Sequence, residues 1–239
     1  MIAFLKETYT DVDALNQAYD LNLSDFDDLY QVQTDLSKRT PQAAADLRAF
    51  SKLMLRAYIE IPVLACRAVD PNHMILGMRW AWISDPDLVT GCELFDVFSI
   101  NCYATDPSPY LDRVVELGVD LPIMIGEFLF GALDAGPTAT GLEAVRTQKD
   151  RGIASRYYIE KVAAHSHGVG CHYFQLNDQF LLGRFDGENY NIGLVDITNQ
   201  PYREMLTYFR ETSETLYDVM AGKIPPIVTQ AESIPMIAY

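Results

Sequence analysis

This chain has little positive charge. Of its 239 residues, 18 are Lys or Arg and 33 are Asp or Glu, a formal net charge of −15. So acidic a surface repels DNA, RNA and anionic membranes and tolerates a neutral ligand. Long apolar runs are missing as well: none reaches the roughly 18–20 residues that a membrane-spanning helix needs. The opening residues, MIAFLKETYTDVDALNQAY, have neither a basic start nor a long apolar core. They do not read as a signal peptide; they read as an amphipathic helix already in progress. There is no internal repeat and no low-complexity block. Cys66, Cys92, Cys102 and Cys171 form no CxxC pair, and each lies in or near an apolar segment. That pattern favours four buried thiols over disulfides.

What is present is ordinary globular material. With 49% hydrophobic and 21% charged residues, the chain has enough apolar content for a sizeable core. Apolar residues recur at helical spacing from Pro41 to Glu60, through Leu47, Phe50, Met54, Ala57 and Tyr58. Further helical patterns cover roughly 109–118, 141–165 and Pro201 to Ala221, where Gly222 supplies a stop. Between them lie four short apolar runs that read as buried strands: 74–82, 96–104, 121–130 and 169–176. The tail, 223–239, has three prolines and reads as irregular. Strands without internal alternation, separated by helices, predict an α/β fold with a parallel sheet and right-handed crossovers.

Polar residues gather where these strands end. Arg79 closes the first, Asn101 and Tyr103 the second, Glu127 the third, and His172 and Gln175 the fourth. Parallel α/β folds build their sites at that edge. Glu127 stands out, a single acid between Ile123-Met124-Ile125-Gly126 and Phe128-Leu129-Phe130. On composition alone, a merely solvated or salt-bridged carboxylate is the competing reading. Arg79 and Arg184 are the candidate cations that would keep Glu127 ionised. The cluster His165, His167, Cys171 and His172 matches no zinc spacing, and DGENY (186–190) is not an EF-hand loop. Neither supports a metal. Trp80 and Trp82 share one side of their strand, for packing or for a sugar platform.

GEFLFGALDAG, CHYFQLNDQ and GRFDGENYNIGLVDITNQPY together resemble the final third of β-agarases of glycoside hydrolase family 50. More broadly they resemble the (β/α)8 retaining glycosidases that include family 42 β-galactosidases. ILGMRWAW, DVFSINCYA and LKETYTDVDALNQAY extend the resemblance over nearly the whole chain. The resemblance implies that Glu127 is the nucleophile at the end of strand seven and that Tyr103 hydrogen-bonds it. It places the substrate contacts at Arg79, Asn101, Tyr103, His172, Phe174, Gln175, Asp178, Gln179, Arg184, Glu188 and Asn189. Tyr173 and Phe174 stand where a stacking tryptophan is common, and Leu129 is unusually apolar for a site rim.

The resemblance also implies a second carboxylate, an acid/base glutamate following asparagine at the end of strand four. No Asn-Glu dipeptide occurs in this chain. The expectation is therefore a partial (β/α)8 barrel, approximately strands five to eight, over residues 1–222. The implied function is cleavage of a β-linked galactose-type polysaccharide by a retaining mechanism, with the acid/base half absent. A β-galactosidase-like enzyme and a non-catalytic carbohydrate-binding remnant are the alternatives. The expected partner is a neutral polysaccharide or oligosaccharide, without nucleic acid, membrane, metal or cofactor. Open sheet edges would receive the missing half or a second copy. The compartment is left open: the resemblance implies export for full-length relatives, and any export signal would precede Met1.

Overall fold

The architecture is α/β, in two units, Met1–Pro71 and Asn72–Tyr239. The computed structural model describes residues 1–32 and 38–237; the last two residues of the expected tail lie outside the described residues.

The first unit is helical. The expected N-terminal helix is two, α1 (Ile2–Thr8) and α2 (Val12–Tyr19). The break falls at Asp11, whose side chain accepts from Ala14 N at 2.9 Å and so starts a new helix. A long α3 (Pro41–Val69) begins at Thr40, which caps Ala43 N, with Pro41 in the first turn, and continues through Pro62. Leu5 and Leu15 are fully buried, and the Tyr9 hydroxyl donates to Asp46 at 2.5 Å. Burial, then that bond, pushes the Tyr9 phenol up to about 12.

The second unit holds a three-stranded parallel sheet, β1 (Phe98–Asn101), β2 (Ile123–Phe128) and β3 (Gly168–Tyr173), in that order. Helix α4 (Ser108–Glu116) joins β1 to β2, and α5 (Gln148–Ala164) joins β2 to β3. The chain then reaches α6 (Arg203–Met220), which packs on α5. Three of the four expected strands therefore form, parallel and adjacent as expected. The fourth, 74–82, reduces to one parallel bridge between Trp80 and Ile100. The reason is local: Gly77 (φ 82°) and Arg79 (φ 54°) both take left-handed backbone, which ends an extended run. The last helix starts at Arg203, two residues after Pro201, and Gly222 (φ 68°) follows its end.

Helix α5 is buried on nearly every side. Arg151, Ser155 and Glu160 are buried alongside Tyr157, Tyr158 and Val162. Tyr158 stacks flat on Phe128 of β2 at 4.3 Å, and its hydroxyl donates to Cys102 O at 2.7 Å. The helix thereby clamps the end of β2 to the turn after β1.

Residues 223–237 contain no helix, yet they are tied down. Ile237 N donates to Thr140 Oγ1 at 2.9 Å and Thr140 N donates to Ile237 O at 3.0 Å. Ile234 N reaches Ala144 O at 2.9 Å, and Arg146 grips Glu232 with two bonds of 3.0 Å. The expectation of four buried thiols is corrected: Cys102 alone is fully buried, Cys92 and Cys171 are intermediate and Cys66 is exposed. Cys66 lies on α3, where a one-sided apolar stripe leaves most positions facing water. All four are free thiols.

Candidate active site

The site is assembled by an irregularity in the sheet. Ile100 pairs with Ile125, but the next residue of β1, Asn101, pairs with Glu127. Gly126 is the extra residue of a β-bulge, a device that re-aims a side chain at a strand end. A β-carbon at Gly126 would collide with Cγ of Arg79 and stand 3.0 Å from Asn101 Oδ1. Glycine is therefore what allows Arg79 to lie across β2.

Glu127 is held at both oxygens. The Tyr103 hydroxyl donates to Oε2 at 2.5 Å, and Arg79 Nη2 lies 2.6 Å from Oε1. The Glu127 side chain is 16% exposed and that of Arg79 54% exposed, so the pair opens to solvent on the arginine side. Burial raises the Tyr103 phenol well above its ordinary value, and its bond to Glu127 raises it further. Tyr103 thus keeps its proton and acts as a donor at neutral pH. The arrangement is an oriented carboxylate with one charged and one neutral donor, suited to act as a nucleophile. Of the two candidate cations, Arg79 makes this contact. Arg184 pairs with Asp186 and Glu188 at 2.6 and 2.7 Å.

The remaining sequence candidates divide into three groups. Asn101 is adjacent to Glu127, but its Oδ1 is buried and, among the described residues, receives no hydrogen bond. Phe174 packs with Tyr103 against a buried cluster of Leu129, Ala139, Tyr190 and Ile192. Leu129 is thus core, which explains its apolar character. Arg184 lies over the Phe174 ring at 5.9 Å, and Glu188 is held by Gln179 Nε2 at 2.7 Å. Glu188 is also close enough to act on Tyr103 electrostatically. These residues form the second group, a loop beside the Glu127 cluster.

The third group is scaffold. Asp178 is 5% exposed and accepts from Gly193 N, Tyr202 Oη and Asn191 Nδ2 at 2.7, 2.5 and 3.0 Å. Burial raises its carboxyl above the ordinary range. Gln179 is buried and pairs with the Tyr190 backbone through both its side chain and its N–H. Gln175 bonds Asn177 O at 3.1 Å and Asn189 bonds Leu181 O at 3.2 Å. His172 is exposed on β3, and among the described residues its side chain makes no hydrogen bond or ion pair. His165 and His167 face Asp112 and Asp120 at 3.2 and 3.7 Å. Trp82 is exposed rather than packed.

One residue central to the scaffold gave no sequence signal. Arg151 of α5 is completely buried and donates to Phe130 O (2.7 Å), Gln148 Oε1 (2.5 Å), Tyr173 Oη (2.9 Å) and Gly193 O (2.7 Å). Gly193 receives Arg151 at its carbonyl and gives its N–H to Asp178, linking the two buried charges through one residue. Tyr173 points into this network and against Phe209 of α6, not toward Glu127. It is therefore not a sugar platform. A buried arginine in a helix with polar residues on every side leaves no amphipathic pattern to detect.

The model of the glycoside hydrolase family described as Beta-galactosidase matches residues 2–218. Beta-agarase A of Vibrio sp. (strain JT0107) is 38% identical over 181 residues, 72% of this chain and 18% of that protein. Beta-agarase B of the same strain is 31% identical over 219 residues, 89% of this chain and 23% of that protein. The solved structure of an exo-beta-agarase superposes with a TM-score of 0.81 at 33% identity, over 92% of this chain and 30% of that one. The chain thus spans about a fifth of the length of the curated relatives it matches.

Proposed function

Because the chain belongs to the glycoside hydrolase family described as Beta-galactosidase, with β-agarases among its relatives, we propose that it is part of an agarase-type glycosidase. In this reading 74–81, β1, β2 and β3 are strands five to eight of a (β/α)8 barrel. Glu127 is the nucleophile toward a β-linked galactose-type polysaccharide such as agarose. The observation that carries the reading is the carboxylate at the end of a parallel strand, held by Tyr103 on one oxygen and Arg79 on the other.

A Glu127 oxygen forms a bond to the anomeric carbon as the glycosidic bond breaks, and the departing oxygen takes a proton from a general acid. Water then attacks the glycosyl ester, gives its proton to the same group and frees Glu127 with net retention. Tyr103 and Arg79 fix the carboxylate before attack and take up its charge again on release. The acid/base group lies outside this chain. In support, the nearby loop carboxylates are already engaged: Glu188 and Asp186 by Arg184, and Asp178 by three donors. The same engagement favours a second reading, a sugar-binding piece without turnover.

The test uses a dinitrophenyl 2-deoxy-2-fluoro-β-galactoside, whose leaving group needs no protonation. One equivalent of dinitrophenolate and a fluoroglycosyl adduct on the peptide containing Glu127 are expected. Saturable binding of agarose oligosaccharides with no adduct would select the second reading. An adduct on another carboxylate would remove Glu127 from its role.

A further inference from the structure

The loop after β3 presents an aromatic ring to solvent. Phe185 is 99% exposed. An exposed phenylalanine on a mobile tip would mean little, but this tip is built to hold still. Gly183 N donates to Phe180 O at 2.8 Å, Arg184 N to Glu188 O at 2.9 Å and Gly187 N to Arg184 O at 3.0 Å. Gly183 (φ 84°) and Gly187 (φ 92°) supply the two left-handed turns that this hairpin requires.

Next to the ring lies a fixed guanidinium. Arg184 is clamped by Asp186 at 3.2 and 2.6 Å and by Glu188 at 2.7 Å. Its Cζ is 5.9 Å from the centroid of Phe185 and 5.9 Å from that of Phe174. Phe174 packs on the same buried cluster as Tyr103, the residue that holds Glu127, so Phe174, Arg184 and Phe185 form a row that starts beside the Glu127 site and ends at the exposed ring.

We propose that Phe185, backed by Arg184, is an outer sugar subsite that stacks on a galactose-type ring of a chain entering the Glu127 mouth. The proposal rests on the reading of that mouth as a glycosidase site. The chemistry is specific. An aromatic face carries negative quadrupole charge, and the axial C–H bonds on one side of a galactose ring point positive edges at it. The neighbouring guanidinium offers donors to the ring's hydroxyls, and a neutral sugar meets no charge penalty on this acidic protein. A ring with two side-chain torsions on a fixed hairpin also loses little freedom on binding.

The experiment is calorimetric titration of the whole chain with agarose-derived disaccharide, tetrasaccharide and hexasaccharide. Phe185→Ala and Phe185→Leu are expected to weaken the longest ligand about three- to tenfold, the range of one aromatic contact. The disaccharide, which fills the inner positions alone, is expected to bind unchanged. Phe185→Trp is expected to keep or improve the longer ligand. Equal affinities for wild type and Phe185→Ala at every length would overturn the proposal. So would an equal loss in the Ala, Leu and Trp variants, or a change in oligomeric state by sedimentation with no change in sugar affinity. If the unaltered chain binds no agarose oligosaccharide, the glycosidase reading itself fails and this subsite with it.

Discussion

The missing β-carbon of Gly126 leaves the space through which Arg79 passes: added there, it would lie 2.6 Å from Cδ of Arg79 and collide with Cγ. The bulge in β2, the left-handed backbone of Arg79 and the grip on Glu127 are therefore one structural unit. Gly126→Ala is expected to expel Arg79 and to cost about 1–3 kcal/mol by overpacking. The urea midpoint and the rate of fluoroglycosyl labelling at Glu127 should fall together. An unchanged labelling rate would show that the arginine does not orient the carboxylate.

Tyr103→Phe removes one hydrogen bond to a charged oxygen and leaves Phe-sized packing against the cluster of Leu129, Ala139, Tyr190 and Ile192. Such bonds are worth about 1.5–3 kcal/mol, so labelling should slow by roughly ten- to a hundredfold. The urea midpoint should move less than in Gly126→Ala. A variant that labels at the wild-type rate would assign Tyr103 to the core alone.

Arg151→Met is expected to destabilise the chain by more than about 3 kcal/mol. It strands the Gly193 carbonyl, leaves Phe130 O with the Tyr173 hydroxyl alone, and deprives Asp178 of its balancing charge. Asp178→Asn should be milder and should change the pH dependence. Burial raises the Asp178 carboxyl in the folded state, so the fold binds its proton more tightly than the unfolded chain does. The favourable contribution is present below the unfolded pKa and is lost as pH rises through the raised folded value. Asp178→Asn should abolish that part of the fall in stability, measured by urea unfolding from pH 3.5 upward.

Thiol chemistry should rank the cysteines. Burial pushes Cys102 up to about 11 and Cys171 up to about 12, whereas Cys66 is exposed. Cys66 is expected to react fastest with an aromatic disulfide at pH 8, the half-buried Cys92 and Cys171 far more slowly, and Cys102 only on unfolding. Rapid reaction of Cys171 in the folded chain would mean that β3 opens far more readily than its packing implies.

Self-association is a further expectation. Among the described residues β3 has β2 as its only ladder partner, and 74–82 contributes one bridge while exposing Met74 and Trp82. Unpaired strand edges of this kind template pairing with another chain. Sedimentation should show dimers or larger species at micromolar concentration. A single monomeric boundary would refute this expectation.

The sheet could be read from the sequence because Val97–Ile100, with Ser99 as its one polar residue, and Ile123–Ile125 are apolar without alternation, as strands buried on both faces must be; the run after Gly168 is short and mostly apolar although Val169 and His172 face solvent. The Glu127–Tyr103 pairing was legible from motif resemblance, not from spacing. The bulge that turns Glu127 was not, since a glycine before an acid has many causes. Polar type alone did not show that Asp178 and Gln179 are buried and hydrogen-bonded within the scaffold. It concealed Arg151 for the same reason: periodicity reports apolar faces, and α5 is buried through its polar ones. The segment 74–82 shows the opposite error, where an apolar run is interrupted by backbone at Gly77 and Arg79 that hydrophobicity does not register.

The ties between residues 232–237 and 140–146 bear on anyone who shortens this protein. Thr140 and Ala144 lie on the excursion that leaves β2 just after Glu127 and Leu129, and Ile234 and Ile237 fasten it like a hasp. Deleting residues 232–237 is therefore a change at the loop that leaves the Glu127 strand, not at a spare tail.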